Sequence, residues 1–254
     1  MLFTQVVSVG IDLSKRRPTY AALDLEQRLF ALGRVGVEEM LAFLSSHPRL
    51  FVALNAPPRP NQGLIKRQDT RSQLSLPPLL PDENPDLRLA DYLLRQSGFQ
   101  VLSVPAQSAD APAWMQRGFD FYACLEKMGY RPYPADEAPF QWLETNSQAT
   151  FSAFLKEGLL LPRYTLEGRL QRQLILYEQG VLVIDPMDFF EEVTRRKLLH
   201  GSLPIEMIYT PEQLDALAAA HLAWRAALHP DQVTGWGEAR EGIVYLPANS
   251  KKKL

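Results

Sequence analysis

Three acids in this chain stand where an element of structure begins or ends. Asp12 closes Val6-Val7-Ser8-Val9-Gly10-Ile11-Asp12, Glu144 sits near the end of Gln141-Trp142-Leu143-Glu144-Thr145, and Asp215 lies at the start of Leu214-Asp215-Ala216-Leu217-Ala218-Ala219-Ala220. A carboxylate in such a place is costly to bury unless a cation or hydrogen-bond donors meet it. Brought together, the three form a ligand set for Mg2+ or Mn2+, hard ions that prefer anionic oxygens. Two such ions, about 3.5–4 Å apart, support in-line hydrolysis of a phosphodiester. Lys15, Arg16, Arg59 and Arg67 are the cations best placed in sequence to meet the phosphates of a substrate, and they serve equally well as solvated loop charges. Each acid alone also has a plainer reading, turned to solvent or paired with an arginine. The functional reading rests on all three occurring at element ends.

The elements that must position these residues follow from periodicity. The β-branched run ending at Asp12 predicts a buried strand, with Val7, Val9 and Ile11 on one face and Ser8, Gly10 and Asp12 on the other. The face of Asp12 is therefore built from very small residues, which admits another element, a metal ion or a phosphate close to the backbone. Residues 18–24 and 29–35 predict two further strands joined by short connections, an antiparallel meander. Residues 37–44 predict a short amphipathic helix and 50–55 a buried strand, which the prolines after Ala56 end. A Pro-rich, locally basic insertion spans 58–83. A helix is predicted from Asn84-Pro85-Asp86 to about Ser97, a strand over 99–105, a helix over 112–128 and a strand over 141–145. Helices then dominate: 147–156, 165–179, 185–199, and one opened by Thr210-Pro211-Glu212-Gln213, whose Thr and Gln form a capping box. On that last helix Asp215 shares its side with Ala218, Ala219 and Leu222, a close-packing face aimed at the sheet. A terminal strand covers 241–247 and a frayed basic tail 249–254. With no internal repeat and no linker, residues 1–248 are expected to form a single domain.

Composition bounds the partners. The chain has 254 residues, 46% hydrophobic and 22% charged, an ordinary globular balance with enough length for a full core. A formal net charge of −2 provides no global basic field, so a nucleic-acid site has to be a local patch. The single cysteine, Cys124, excludes an internal disulfide, and with four histidines it argues against structural zinc. No apolar run approaches the ~20 residues of a membrane span, and no signal-peptide pattern opens the chain, so a cytoplasmic protein is expected.

At these residues the chain resembles the RNase H-like superfamily, and more closely the bacterial and archaeal group of uncharacterised predicted nucleases with that fold. The matching pieces are Val9-Gly10-Ile11-Asp12 followed by Ser14; Val52-Ala53-Leu54-Asn55-Ala56-Pro57; Asp86 to Gly98; Gly118 to Gly129; Leu143-Glu144-Thr145; Gly168 to Arg172; Leu214 to Ala220; and Glu241-Gly242-Ile243 with Pro247. They occur in the family's order over nearly the whole chain. The resemblance implies an α/β fold, a mixed five-stranded sheet with the first strand central and helices on both faces, and metal carried by strand-end and helix carboxylates. One departure bears on activity. Where the family usually places an Asp after the second buried strand, this chain has Asn55, which keeps a carbonyl oxygen and loses the charge. The Pro that the family places soon after its second acid is also absent, since Glu144 is followed by Thr145-Asn146-Ser147. The lost charge at Asn55 implies weaker metal binding, and the two departures together imply impaired catalysis.

The leading expectation is a Mg2+- or Mn2+-dependent nuclease or phosphodiesterase, with Asp12, Glu144 and Asp215 as metal ligands and Asn55 as a weak fourth. A second is a non-catalytic relative that binds nucleic acid or a protein through the same cleft. A third, an actin-like small-molecule kinase, also opens with a strand ending in Asp. That class needs a further Gly-rich phosphate turn, which this chain lacks.

Overall fold

A computed structural model describes residues 5–73, 87–155 and 158–248. Strands β1 (Val6–Asp12), β2 (Thr19–Asp24) and β3 (Leu29–Arg34) form the expected antiparallel meander. Helix α1 (Val37–Ser45) returns the chain so that β4 (Leu50–Leu54) lies parallel to β1. There follow α2 (Gln68–Gln73), α3 (Leu89–Gln96), α4 (Ala113–Lys127), β5 (Arg131–Pro132), β6 (Phe140–Thr145), α5 (Ser147–Phe154), α6 (Leu166–Glu178), α7 (Asp188–His200), α8 (Pro211–Leu228), β7 (Val233–Glu238) and β8 (Gly242–Pro247). The sheet runs β3-β2-β1-β4-β6-β8-β7, with β5 paired to β6 off this path. Strands β1, β4, β6 and β8 are mutually parallel, and β7 is antiparallel to β8.

The architecture is thus α/β with a mixed sheet, but the described residues contribute eight strands to it where five were expected. The difference lies at one side of the sheet. The two-residue β5 and the β7–β8 hairpin extend it, and β7 carries Gly235 and Gly237, residues that mask a strand pattern in sequence. Gly237 is required there: its φ is +108°, and a Cβ would stand 2.6 Å from the Cβ of Ala90 on α3.

Helices cover both faces. Met40 and Leu44 of α1 and Phe121, Tyr122 and Leu125 of α4 pack on Val9, Ile11, Val52, Leu54 and Trp142. On the other face lies α8, buried along most of its length against β1, β2 and β4. The sequence explains the closeness. A side chain at Gly10 would overlap the backbone of Ala216 and Ala220, so the small-residue face of β1 is the seat of the alanine stripe of α8. Thr210 and Gln213 cap α8 reciprocally, as expected.

Three further expectations need correction. Residues 99–105 form no strand; Phe99 and Val104 bury their side chains in different clusters, and no neighbouring strand pairs with the segment. The first part of the 58–83 insertion is folded, with a 3-10 turn at Leu64–Lys66 and α2 behind it. Leu64 and Ile65 are buried there, and the Gln62 and Leu64 N–H groups donate to the Glu241 carboxylate at 2.9 and 2.8 Å. The helix expected from Asn84 is described from Leu89, with Arg88 at its N-cap position. Asn84, Pro85, residues 74–83 of the insertion and the 249–254 tail lie outside the described residues.

Candidate active-site cleft

The parallel strands β1, β4 and β6 end together, and their carboxyl ends open on a cleft of about 550 Å3. From β1 the chain continues to β2 on one side, while β4 arrives on the other. The β1/β4 boundary is therefore a switch point, where open α/β sheets bind ligands. Asp12 at the end of β1 and Asn55 just past β4 straddle it, and Asp215 of α8 reaches it from the covered face. Ser147 and Gln148 at the start of α5, Lys15, and Arg163 and Tyr164 between α5 and α6 add further polar groups to the wall.

Asp12 is 1% exposed. One carboxylate oxygen accepts from Asn55 Nδ2 at 3.1 Å, and the other accepts the Ser14 hydroxyl and, at 3.3 Å, the Ser14 N–H. Burial pushes its pKa up against the lowering effect of these donors. Asp215 is raised further, to about 8: burial leads, Arg163 pulls it down, and the charge of Asp12 pushes it up. Arg163 Nη2 stands 2.5 Å from Asp215 Oδ2. The contact is an ion pair without hydrogen-bond alignment, for Arg163 Nε and Nη2 have no hydrogen-bond acceptor among the described residues. Arg172, buried over the Phe151 ring and held by the Leu161 and Gly168 carbonyls, adds a second positive charge on the Asp215 side.

Asn55 has a fixed orientation. Its Oδ1 accepts the Ser147 N–H at 3.0 Å, so its NH2 group, not its carbonyl, faces Asp12. It bridges β4, β1 and the start of α5 as a hydrogen-bonding strut.

Glu144 does not enter this cleft. In the register, Ile11 pairs with Leu54 and Leu54 with Glu144, and lateral partners in a sheet share a face. Glu144 therefore points to the face opposite Asp12. There it takes Arg88 bidentately, at 2.7 and 3.0 Å, and Arg88 also grips Asp91 at 2.9 and 3.0 Å. Glu144 and Arg88 are both almost fully buried, and desolvation raises the pKa of Glu144 despite the guanidinium. Glu241, also buried, closes the network by accepting the Leu89 N–H and two backbone N–H groups of the 61–64 segment. This polar cluster holds α3, β6 and the approach to β8 together.

The basic residues separate in the same way. Lys15 lines the cleft, and with Arg16, Arg17 and Arg34 it lines an adjoining groove. Arg59 lies 3.9 Å from Glu126 on α4, and neither it nor Arg67 lines the cleft or the groove. Sequence reading passed over Arg163, whose only signal is a Pro-Arg-Tyr between two helices. It also missed the pairing of Arg88 with Asp91, although the three-residue spacing of opposite charges was visible.

Among the described residues, no group of three or more His, Cys, Asp or Glu side chains is placed to hold a metal ion. None of their helices is long and apolar enough to cross a membrane. No family model, curated protein or solved structure matches this chain.

Proposed function

We propose that this protein is a divalent-metal-dependent phosphodiester hydrolase of RNase H-like fold, with Asp12 and Asp215 as its metal ligands. The observation that carries the reading is the convergence of two buried carboxylates from β1 and α8 on the switch-point cleft. Burial raises both pKa values, and the charge of Asp12 adds to the shift at Asp215, so ionising the pair together is costly, a cost that a bound divalent ion would offset. A first strand hydrogen-bonded on both sides and helices on both faces of a mixed sheet support the fold assignment.

The donor set fits one ion rather than two. Glu144 lies on the other face, and Asn55 offers a donor where a ligand needs an acceptor. A Mg2+ or Mn2+ ion held by Asp12 and Asp215 supplies Lewis-acid polarisation of the phosphate and lowers the pKa of the attacking water. The protein's own groups do the rest. Asn55 and Ser14 orient the Asp12 carboxylate, and the Ser14 turn is itself fixed by Arg117, which donates to the Leu13 and Ser14 carbonyls. Arg163 lies against Asp215 in the metal-free protein and, with Lys15, lines the space that a phosphate would enter.

A second reading, a binding module without catalysis, is favoured by the ion pair that Arg163 already makes with Asp215. Titration calorimetry with Mn2+ separates the two. Hydrolysis requires saturable binding that Asp12→Asn and Asp215→Asn each abolish, together with cleavage of an oligonucleotide that depends on both residues. Absence of Mn2+ binding in the wild type removes the hydrolase reading.

A further inference from the structure

The carboxylate cleft continues into a second, basic depression. Lys15, Arg16, Arg17 and Arg34 line it together with Gly36 and Val37, and among the described residues no acid lies in that wall. The depression measures about 770 Å3, and Lys15 belongs to both linings, so the two spaces meet at its side chain. The four cations are close in space for a simple reason. The β1–β2 turn carries three of them, and β3 ends beside it, with Arg34 registered opposite Thr19. The turn is also anchored: Arg117 holds the Leu13 and Ser14 carbonyls, and Glu212 at the start of α8 sits 3.6 Å from Lys15 and 3.7 Å from Arg34. Glu212 is 8% exposed at its side chain, so it acts from beneath, and Arg16 and Arg17 stand exposed above.

The cleft that Lys15 shares with this groove also carries an exposed aromatic. Tyr164 is 71% exposed, and its ring is braced by Arg163, whose guanidinium carbon lies 5.1 Å from the ring centroid and whose Nη1 donates to the Tyr164 hydroxyl at 3.1 Å. The other end of the guanidinium is turned to Asp215, with Nη2 2.5 Å from Oδ2, so Arg163 joins the exposed ring to the carboxylate floor of the cleft. A basic track that leads to an exposed aromatic is the pairing by which single strands are held: the cations follow the backbone and the ring stacks on a base.

We infer that the groove of Lys15, Arg16, Arg17 and Arg34 and the ring of Tyr164 bind single-stranded nucleic acid and lead its backbone to the Asp12–Asp215 cleft. The inference rests on the reading of that cleft as a phosphodiester site, and it names the substrate class. The exposed ring decides between single strand and duplex. A base stacks on Tyr164 only where it is unpaired, and the ring is 71% exposed on the cleft that holds the two carboxylates. The chemistry of the track, cations for the backbone and a π-face for a base, does not distinguish bases.

Binding is measured by fluorescence anisotropy in chelator, so that neither metal nor cleavage enters. The probe is a fluorescein-labelled mixed-sequence oligonucleotide of about 12 nucleotides, a length within the range that single-strand sites occupy. The same sequence as a duplex and an acidic polyglutamate peptide are the competitors. The single strand should bind more tightly than either. Replacing Arg16 and Arg17 by Glu should weaken it at least tenfold, and removal of two phosphate contacts should reduce the salt slope by about 1.4. Tyr164→Ala should cost about fivefold or more through lost stacking, and Tyr164→Phe should restore most of it. Calorimetric Mn2+ affinity should stay at the wild-type value in the Tyr164 variants. Duplex or polyglutamate bound as tightly as the single strand overturns the proposal, and so does single-strand binding indifferent to Arg16 and Arg17. A wild type that binds the strand through these residues but takes up no Mn2+ supports the track and removes the hydrolase.

Discussion

Asn55 presents its amide nitrogen, not its carbonyl oxygen, to Asp12, at 3.1 Å. The orientation is set from the other side, where the Ser147 N–H occupies Asn55 Oδ1 at 3.0 Å. Asn at this position is therefore a working part of the metal-free site. It satisfies one oxygen of a buried carboxylate that would otherwise lack a donor, and it ties the start of α5 to the ends of β1 and β4.

Asn55→Asp should have opposite effects with and without metal. In chelator it removes the donor on Asp12 and adds a third acid, so the protein should lose about 1–3 kcal/mol, the cost of leaving a buried acceptor unsatisfied, plus like-charge repulsion. With Mn2+ present the new carboxylate becomes a ligand, and the variant should gain more in Tm than wild type does. Thermal melts across a Mn2+ titration check this. A variant whose Tm shift with Mn2+ equals that of wild type would place Asn55 outside any metal site.

Glu144→Gln should destabilise the fold and leave metal binding alone. Breaking a buried ion pair costs about 3–5 kcal/mol when one partner is removed. Arg88 keeps Asp91, so the lower end of that range, about 3 kcal/mol, is expected in urea unfolding. Mn2+ affinity should match wild type, because Glu144 faces away from Asp12. A loss of Mn2+ affinity with unchanged stability would restore Glu144 to the ligand set expected from sequence.

The contrast between Asp12 and Glu144 marks what sequence carries. Period-two alternation assigned Asp12 to the small-residue face, and the capping box and alanine stripe assigned the start and inward side of α8; these are local properties, and the structure agrees with each. Whether two strand-end acids meet depends on the lateral register between β1, β4 and β6, a non-local quantity. One residue of register sends Glu144 to the opposite face, since side chains alternate. Arg163 was illegible for another reason. It lies in irregular chain between helices, where no periodicity says which way a side chain points. The β7–β8 hairpin was half hidden, because Gly237, which lets β7 pass Ala90, and Gly235, which lies against Ile243 and Tyr245, weaken a strand pattern.

Gly10→Ala tests the packing that brings Asp215 to Asp12. A methyl at this position meets backbone on α8, which no rotamer change relieves. Overpacking of this kind costs about 1–3 kcal/mol and displaces the helix. Because Asp215 rides on α8, Mn2+ affinity should fall along with stability. Gly33→Ala, whose Cβ would meet only the ring of Tyr20 at 3.2 Å, serves as the control and should leave Mn2+ affinity unchanged. Equal effects of the two substitutions on Mn2+ binding would count against the role assigned to the β1–α8 contact.

The last prediction concerns pH. Asp215 has an ordinary carboxylate pKa of 3.8 when unfolded and about 8 when folded, and Asp12 is shifted in the same direction. Between these values the unfolded chain has released the Asp215 proton and the folded chain still holds it. The folded state then binds more protons, so stability must fall as pH rises, from about pH 4 until the folded group itself ionises near pH 8. Asp215→Asn removes the proton and the penalty together. In chelator the wild type should lose Tm between pH 5 and pH 8, and Asp215→Asn should lose less and melt higher than wild type at pH 8. Metal reverses the advantage. An ion at Asp215 must displace the retained proton, so Mn2+ affinity should rise from pH 6 to pH 8, and binding at pH 7 should release protons. Calorimetry in two buffers of different ionisation enthalpy counts those protons directly. Proton release that survives Asp215→Asn undiminished would assign it to another group, and a pH-independent Mn2+ affinity in the wild type would remove Asp215 from the metal site.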